Sequence, residues 1–212
     1  MVQSIPAPVE NPLTRSNPPV DRKGPHVLPL NELAGLYHLD PAHSSIAFVA
    51  RHAGIAKVRG TFESFHGWAL IDGSTPQHSA LLVSVKVSSV NSRDANGDGH
   101  LRSPDFFDAS RFPAVTFVGT DFRVLDETHV EVDGDLTIRD ATRPVKVAFV
   151  YEGGAKDPFG NERIGFTGSA TVSRSDFGLT WNAVLETGGV LVSDAIKLEF
   201  EVSAIKQADG GP

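Results

Sequence analysis

Three features of this 212-residue sequence predict an all-β protein, either a sandwich or a closed barrel. Apolar and polar residues alternate with period two in run after run, turn-forming dipeptides separate the runs, and helical periodicity is scarce. Leu81, Val83, Val85 and Val87 share one face of such a run, with Ser84, Lys86 and Ser88 on the other. Val130, Val132, Leu136 and Ile138 likewise oppose His129, Glu131, Asp133 and Asp135. Val145, Val147, Phe149 and Tyr151 repeat the pattern, and so do Ile196, Leu198, Phe200 and Val202. Successive side chains of a strand point to opposite faces, so each run carries one apolar and one wet face, as antiparallel strands do. Roughly eight or nine such runs follow Tyr37. Turns are expected at Asp72-Gly73, Gly153-Gly154 and Asp157-Pro158.

In chain order, residues 1–34 form a proline-rich arm that lacks the apolar content to fold alone and is expected to be loosely ordered. Leu28, Leu30, Leu33 and Leu36 are placed to dock its last part on the domain. The barrel domain is expected to span 35–206, and residues 207–212 to fray. A short helical turn is expected from Ala53 to Lys57. The best helix signal starts at Ser103, a good N-cap, with Pro104 in the first helical position and Asp105 beside it. It should last one or two turns before Phe112-Pro113 stops it.

Composition removes several function classes. A net charge of -7 lacks the basic stripe of a nucleic-acid footprint. No apolar run approaches the roughly 18 residues of a membrane-spanning helix. With zero cysteines, disulfides and thiolate chemistry are out. The N-terminus has no apolar core of a secretory signal, so the expected location is cytoplasmic.

One stretch suggests a calcium-binding loop. Asp94, Asn96 and Asp98 alternate, Gly99 follows, Leu101 is apolar where the eighth loop position wants it, and Asp105 stands at the twelfth. An EF-hand loop needs a helix on each side, however, and the entering segment Val83 to Ser92 reads as a strand. The competing expectation is a polar connection in which Gly97 and Gly99 take positive φ while Asp94, Asn96 and Asp98 bond local backbone. The eight histidines offer no H-x-H or H-E-x-x-H spacing. His43 and His52 would face opposite ways on one regular strand. No metal site is assigned to them.

Four blocks, taken together, carry a resemblance: YHLDPAHSSIAFVARHAGIAKVRGTFESFHG, RDANGDGHLRSPDFFDASRFPAVTF, GDLTIRDATRPV and SRSDFGLTW. In order and content they resemble the YceI-like family of polyisoprenoid-binding proteins, from Tyr37 to about Ala204. The family's usual R-D-x-H-L-R-S-x-D-F-F run is interrupted here by Ala95 to Gly99, which makes the calcium-like spacing the product of a longer loop. The resemblance implies an extended eight-stranded antiparallel barrel similar to a lipocalin, with one or two short helices and a deep apolar cavity. It implies non-enzymatic binding of a long-chain isoprenoid or related amphiphile, for transport or storage. Many members carry a secretion signal, and this N-terminus departs from that pattern.

The residues agree with such a cavity. A barrel of about eight strands lies at the border between filled and hollow. Gly134, Gly165, Gly168 and Ala170 are small where room is needed, and Phe48, Phe62, Phe117, Phe149 and Phe166 can wall a tube. There are 13 Phe against two Tyr and two Trp, so most large aromatics lack a hydrogen-bonding tip, as a dry interior requires. At about 0.8 kcal/mol per buried CH₂, a tail of about ten to twenty carbons gains on the order of 8 to 16 kcal/mol before ordering costs. The expected ligand is an isoprenoid lipid or isoprenoid quinone, with no other cofactor. His100, Leu101 and Arg102, beside Phe106 and Phe107, would form the mouth, where the Arg102 guanidinium either grips an anionic head group or caps local backbone. Arg59 and Arg174 are further candidates, although Arg174-Ser175-Asp176 also reads as a turn that ties barrel ends. Trp181 either plugs or lines the tube. No G-x-S-x-G motif or buried acid pair is visible, so an enzyme acting on a hydrophobic small molecule remains an alternative without assigned catalytic residues. Exposed strand edges and apolar outer residues such as Val118 and Phe122 make a homodimer possible.

Overall fold

A computed structural model describes residues 29–186 and 188–208. Eleven strand segments lie in one sheet. They are β1 (Gly35–Leu39), β2 (Ser45–His52), β3 (Ala56–Phe62), β4 (Phe65–Ile71), β5 (Ala80–Lys86) and β6 (Val90–Asn91), then β7 (Ala114–Val124), β8 (His129–Ile138), β9 (Ala141–Lys156), β10 (Glu162–Ser173) and β11 (Ala195–Lys206). One helix, α1 (Ala95–Arg102), lies between β6 and β7.

The registers show how eleven segments make eight staves. His38 pairs with Trp68 and Ile46 with Phe62, so β1 and β2 form one interrupted stave beside the interrupted stave of β3 and β4. Strands β5 and β6 form the third, broken at Val87–Ser89. Every stave is antiparallel to its sequence neighbour, and β11 closes the ring by pairing with both β1 and β2. The result is a closed eight-stranded antiparallel barrel, which decides between the sandwich and the barrel that alternation left open and agrees with what the family resemblance implies.

The first break is built locally. Pro41 opens a 3-10 turn, Pro41–His43, and the Asp40 side chain caps it by accepting the Ala42 N–H at 3.1 Å. The same carboxylate accepts a hydrogen bond from Arg163 Nη1 at 2.5 Å, while Arg163 Nε donates to Asp157 at 2.8 Å. That bolt ties the broken stave to the β9–β10 turn. The Arg163 guanidinium holds the Asp40 carboxyl below the usual carboxylate range.

Several expectations need correction. The helix is not at Ser103. It starts after Asp94, whose side chain accepts the Asn96 N–H at 3.1 Å, and it ends at Ser103, whose Oγ donates to the His100 carbonyl at 2.7 Å. Gly97 and Gly99 lie inside this helix and the positive φ falls on Arg93. Two glycines weaken a helix signal. Here tertiary contacts compensate, because the Asp98 carboxylate accepts both the backbone N–H and the hydroxyl of Ser92 at 2.6 and 2.7 Å. At Ala53 to Ile55 the chain makes a tight hairpin turn with positive φ at Ala53 and Gly54, and Ala56 and Lys57 already belong to β3. Gly153-Gly154 is no turn. Both residues lie within β9, where Gly153 at φ 119° faces a register shift at Gly165 and Phe166. The turn follows at Asp157.

Phe122 is not an outer residue. A bulge between Gly119 and Asp121 shifts the register of β7, and the residues beyond it exchange faces. Phe122 is therefore buried, which leaves Val118, 41% exposed, as the outer member of that pair. The homodimer reading loses half of its basis.

The interior glycines seat rings rather than leave space. Phe48 pairs across the sheet with Gly60, and Phe149 with Gly168. Phe117, whose own cross-strand partner is Leu136, lies diagonally over Gly134. A Cβ on any of the three glycines would strike the ring. Gly165 differs, because its nearest neighbour would be the Glu152 Cβ at 3.6 Å, away from the interior. At the end of the barrel away from α1, Leu33, 1% exposed, packs with Tyr37, Tyr151, Ile164 and Ala204. Leu30 joins this floor, Leu36 is exposed, and Leu28 lies outside the described residues.

Gly168→Ala is expected to destabilise the barrel by about 1–3 kcal/mol, because the ring of Phe149 must move. Gly165→Ala should stay within about 0.5 kcal/mol. Urea denaturation of both variants checks the contrast.

Candidate functional site

The inward faces of the staves enclose a cavity of about 860 Å³. Ile46, Val83, Val132, Val147, Leu198 and Phe200 contribute from five staves, and the wall is overwhelmingly apolar. The cavity reaches both ends of the barrel. Arg51, Asp94 and Arg174 border it at the end that holds α1, and Asp72 at the other. Ends and wall thus differ in chemistry: charged groups stand at the rims and hydrocarbon lies between.

Of the residues singled out in the sequence, Phe48, Phe62, His100, Leu101, Phe106, Phe107, Phe117, Phe149, Phe166 and Trp181 all border this cavity. Phe62 is central to its upper half, with ring centroids 5.8 Å from both Phe48 and Phe107. Trp181 lines the cavity. Its ring lies 4.4 Å from His100 and 5.5 Å from Phe106, edge-on to the imidazole, and this cluster roofs one side of the tube. His100 is oriented by Asp105, Nε2 to Oδ2 at 2.9 Å.

Arg102 turns away from the mouth. Its Nε donates to the Ser88 carbonyl at 3.0 Å and its Nη2 to the Val90 carbonyl at 2.7 Å. The break in the third stave leaves these carbonyls without strand partners, and the guanidinium stitches α1 onto them. Arg59 pairs with Glu199 across the barrel wall. Arg174 is buried and donates to the carbonyls of Leu179, Trp181 at 2.9 Å, Ser193 at 3.0 Å and Val192 at 3.4 Å. It organises the 178–194 loop, as the turn reading expects.

The calcium-loop geometry does not assemble. Asp94 caps the helix, Asp98 holds Ser92, and Asp105 holds His100. Among the described residues no three His, Asp or Glu side chains gather about one point. His43 is paired with Asp40 at 2.7 Å, while His52 lies at the far end of its strand.

Sequence reasoning missed Phe122, Leu30 and Leu33 as wall residues. The bulge hides the first, since strict alternation places it outside. A leucine-rich approach to Tyr37 is the signal for the other two.

At the floor stand two tyrosines. Burial, then nearby Glu162 and Tyr151, push the Tyr37 hydroxyl up to about 12. Burial also raises Tyr151, whose hydroxyl has no hydrogen-bond partner among the described residues. Tyr37 borders the cavity, so a neutral phenol closes the lower end.

Residues 37–204 match the YceI-like domain family. A UPF0312 protein of Pseudomonas putida (strain W619) is 32% identical over 177 residues, which cover 82% of this chain and 88% of that protein. Among solved structures, Burkholderia cenocepacia BcnA superposes with a TM-score of 0.68 at 21% identity, covering 78% of this chain and 98% of that one. A polyisoprenoid binding domain from Saccharophagus degradans gives a TM-score of 0.62 at 15% identity, with 81% and 98% covered. At these identities the two structures bear on the fold.

Because Tyr37 is held neutral, its contribution to stability is fully present below pH 10, the unfolded value, and is lost as pH rises through about 12. Denaturation midpoints across that window should fall for the native chain and fall less for Tyr37→Phe. Tyrosinate absorbance should show both hydroxyls, Tyr37 and Tyr151, ionising above the ordinary tyrosine value.

Proposed function

We propose, for a chain that belongs to the YceI-like domain family, that the barrel binds a long-chain isoprenoid lipid or isoprenoid quinone without chemical turnover. The observation that carries this reading is the 860 Å³ apolar cavity. Ligand pockets typically occupy about 300–1,000 Å³, so this one lies near the upper end. Its aromatic wall offers a hydrocarbon chain contact along its length, and the sheet shields that wall except at the β3–β6 edge, where Arg102 stitches α1 on. A polyisoprenoid binding domain of the same fold, from Saccharophagus degradans, supports the ligand class.

The tail supplies the affinity. About twenty buried CH₂ groups, at about 0.8 kcal/mol each, gain on the order of 16 kcal/mol, which leaves the roughly 8 kcal/mol of a micromolar complex once ordering costs of similar size are subtracted. A preformed wall keeps those costs low, since rings such as Phe48 and Phe149 are already held by their glycines. Enclosure supports carriage or storage of the lipid, because a covered tail is shielded from water.

Native mass spectrometry after addition of a long-tailed isoprenoid quinone should show a one-to-one adduct. A protein that stays bare with every long-tailed isoprenoid offered overturns the reading. Val83→Trp, which places a large ring in the cavity, should weaken binding about tenfold or more, equivalent to about 1.4 kcal/mol, in a fluorescence titration. Circular dichroism should confirm the barrel.

A further inference from the structure

We infer that the end of the barrel formed by the β2–β3 hairpin and the 183–192 loop docks on an anionic lipid bilayer, placing the cavity mouth at the membrane surface. The purpose of this contact, though not its geometry, rests on the lipid-binding reading above. Two tips build the surface. Ala53 N–H donates to the Leu191 carbonyl at 2.7 Å and Ser193 N–H to the Arg51 carbonyl at 2.9 Å, so the loop is bolted to the hairpin. The loop closes on itself through a bridge between Val184 and Val190. At the tips Ile55 and Val184 are each 85% exposed, and Val58 and Val190 are exposed beside them. These aliphatic side chains cover no core.

Charge selects the partner. Residues 51–59 carry Arg51 and Lys57 and no acid, with Arg59 paired to Glu199, and residues 182–193 carry Glu186 as their one acid, with Asp194 held by Ser173 and Ser175 just beyond. Apolar tips flanked by cations suit shallow insertion between anionic headgroups. The opposite end also has exposed apolar residues, Leu125 and Phe159. Its 125–128 turn holds Asp126 and Glu127 with no Lys or Arg, while at the other turn Asp157 and Glu162 are paired with Arg163 and Lys206. An anionic surface repels that end, and the chain as a whole at net charge -7, so attraction must be local to the hairpin end. The same elements border the cavity, through His52, Ala56, Val58, Leu191 and Val192. A tail leaving the bilayer there enters the barrel without crossing water.

Vesicle flotation tests this. The full chain should float with vesicles of phosphatidylcholine and phosphatidylglycerol and far less with phosphatidylcholine alone. The double variant Ile55→Asp, Val184→Asp should bind the anionic vesicles about tenfold less, since two buried aliphatic contacts are lost. Phe159→Asp at the other end should bind as the native chain does. Uptake of an isoprenoid quinone from detergent micelles should be unchanged in the double variant, while uptake from vesicles slows. The inference is overturned if the native chain ignores anionic vesicles, or if Phe159→Asp weakens flotation as much as the double variant. Absent uptake from micelles would instead count against the ligand reading, and flotation would still decide the docking.

Discussion

Closure of the sheet is the constraint on which the rest of this molecule depends. Strand β11 pairs along one edge with β10 and along the other with both β1 and β2. That closure gives most of the wall backbone its hydrogen-bond partners and leaves the β3–β6 edge, which no strand bridges to β7, to be covered by α1. Only then can the centre be hollow, because the wall does not need a filled core to satisfy its polar groups. The apolar packing is divided among clusters around the cavity instead. One lies at the floor, around Leu33, Tyr37, Tyr151 and Ile164, one at the roof, around Phe106, Leu136, Phe177 and Leu179, and one between them at the stave breaks, around Ile46, Phe62, Phe65, Val85 and Val90.

A barrel with interrupted staves has to satisfy the carbonyls and amides that the interruptions free. Arginine does much of this. Arg102 stitches the helix to the third stave, Arg163 holds the first break against the β9–β10 turn, and Arg174 gathers four carbonyls of the long loop. A guanidinium presents several donors in one plane, which suits a cluster of carbonyls better than a lysine would. Arginines that look in sequence like head-group ligands are therefore structural, and the ends of the tube are shaped by them. The cross-strand pairing of rings with glycines works on the wall in the same spirit. Each ring lies down over a residue with no side chain, which thins the lining and keeps the tube open.

Much of the fold was legible because its signal is periodic. Faces such as Val130, Val132, Leu136 and Ile138, or Ile196 to Val202, point inward as alternation requires. The aromatic candidates border the cavity for the same reason. Phe122 escaped because one inserted residue reverses parity, and a bulge leaves no mark in composition. The helix escaped because two good N-caps, Asp94 and Ser103, lie nine positions apart, and the choice between them is made by Ser92 reaching Asp98.

What the sequence determined by itself is therefore local: which runs are strands, which face of each is oily, the abundance of phenylalanine without polar tips, and the four motif blocks of the family. What only the tertiary structure decided is where parity breaks, which arginines are engaged by carbonyls, and that the small residues seat rings around an open centre. The physical reason is range. Alternation is written between neighbours in the chain, whereas a bulge, a carbonyl cluster or a ring over a glycine depends on a partner from another strand, and that partner is known only once the sheet has closed.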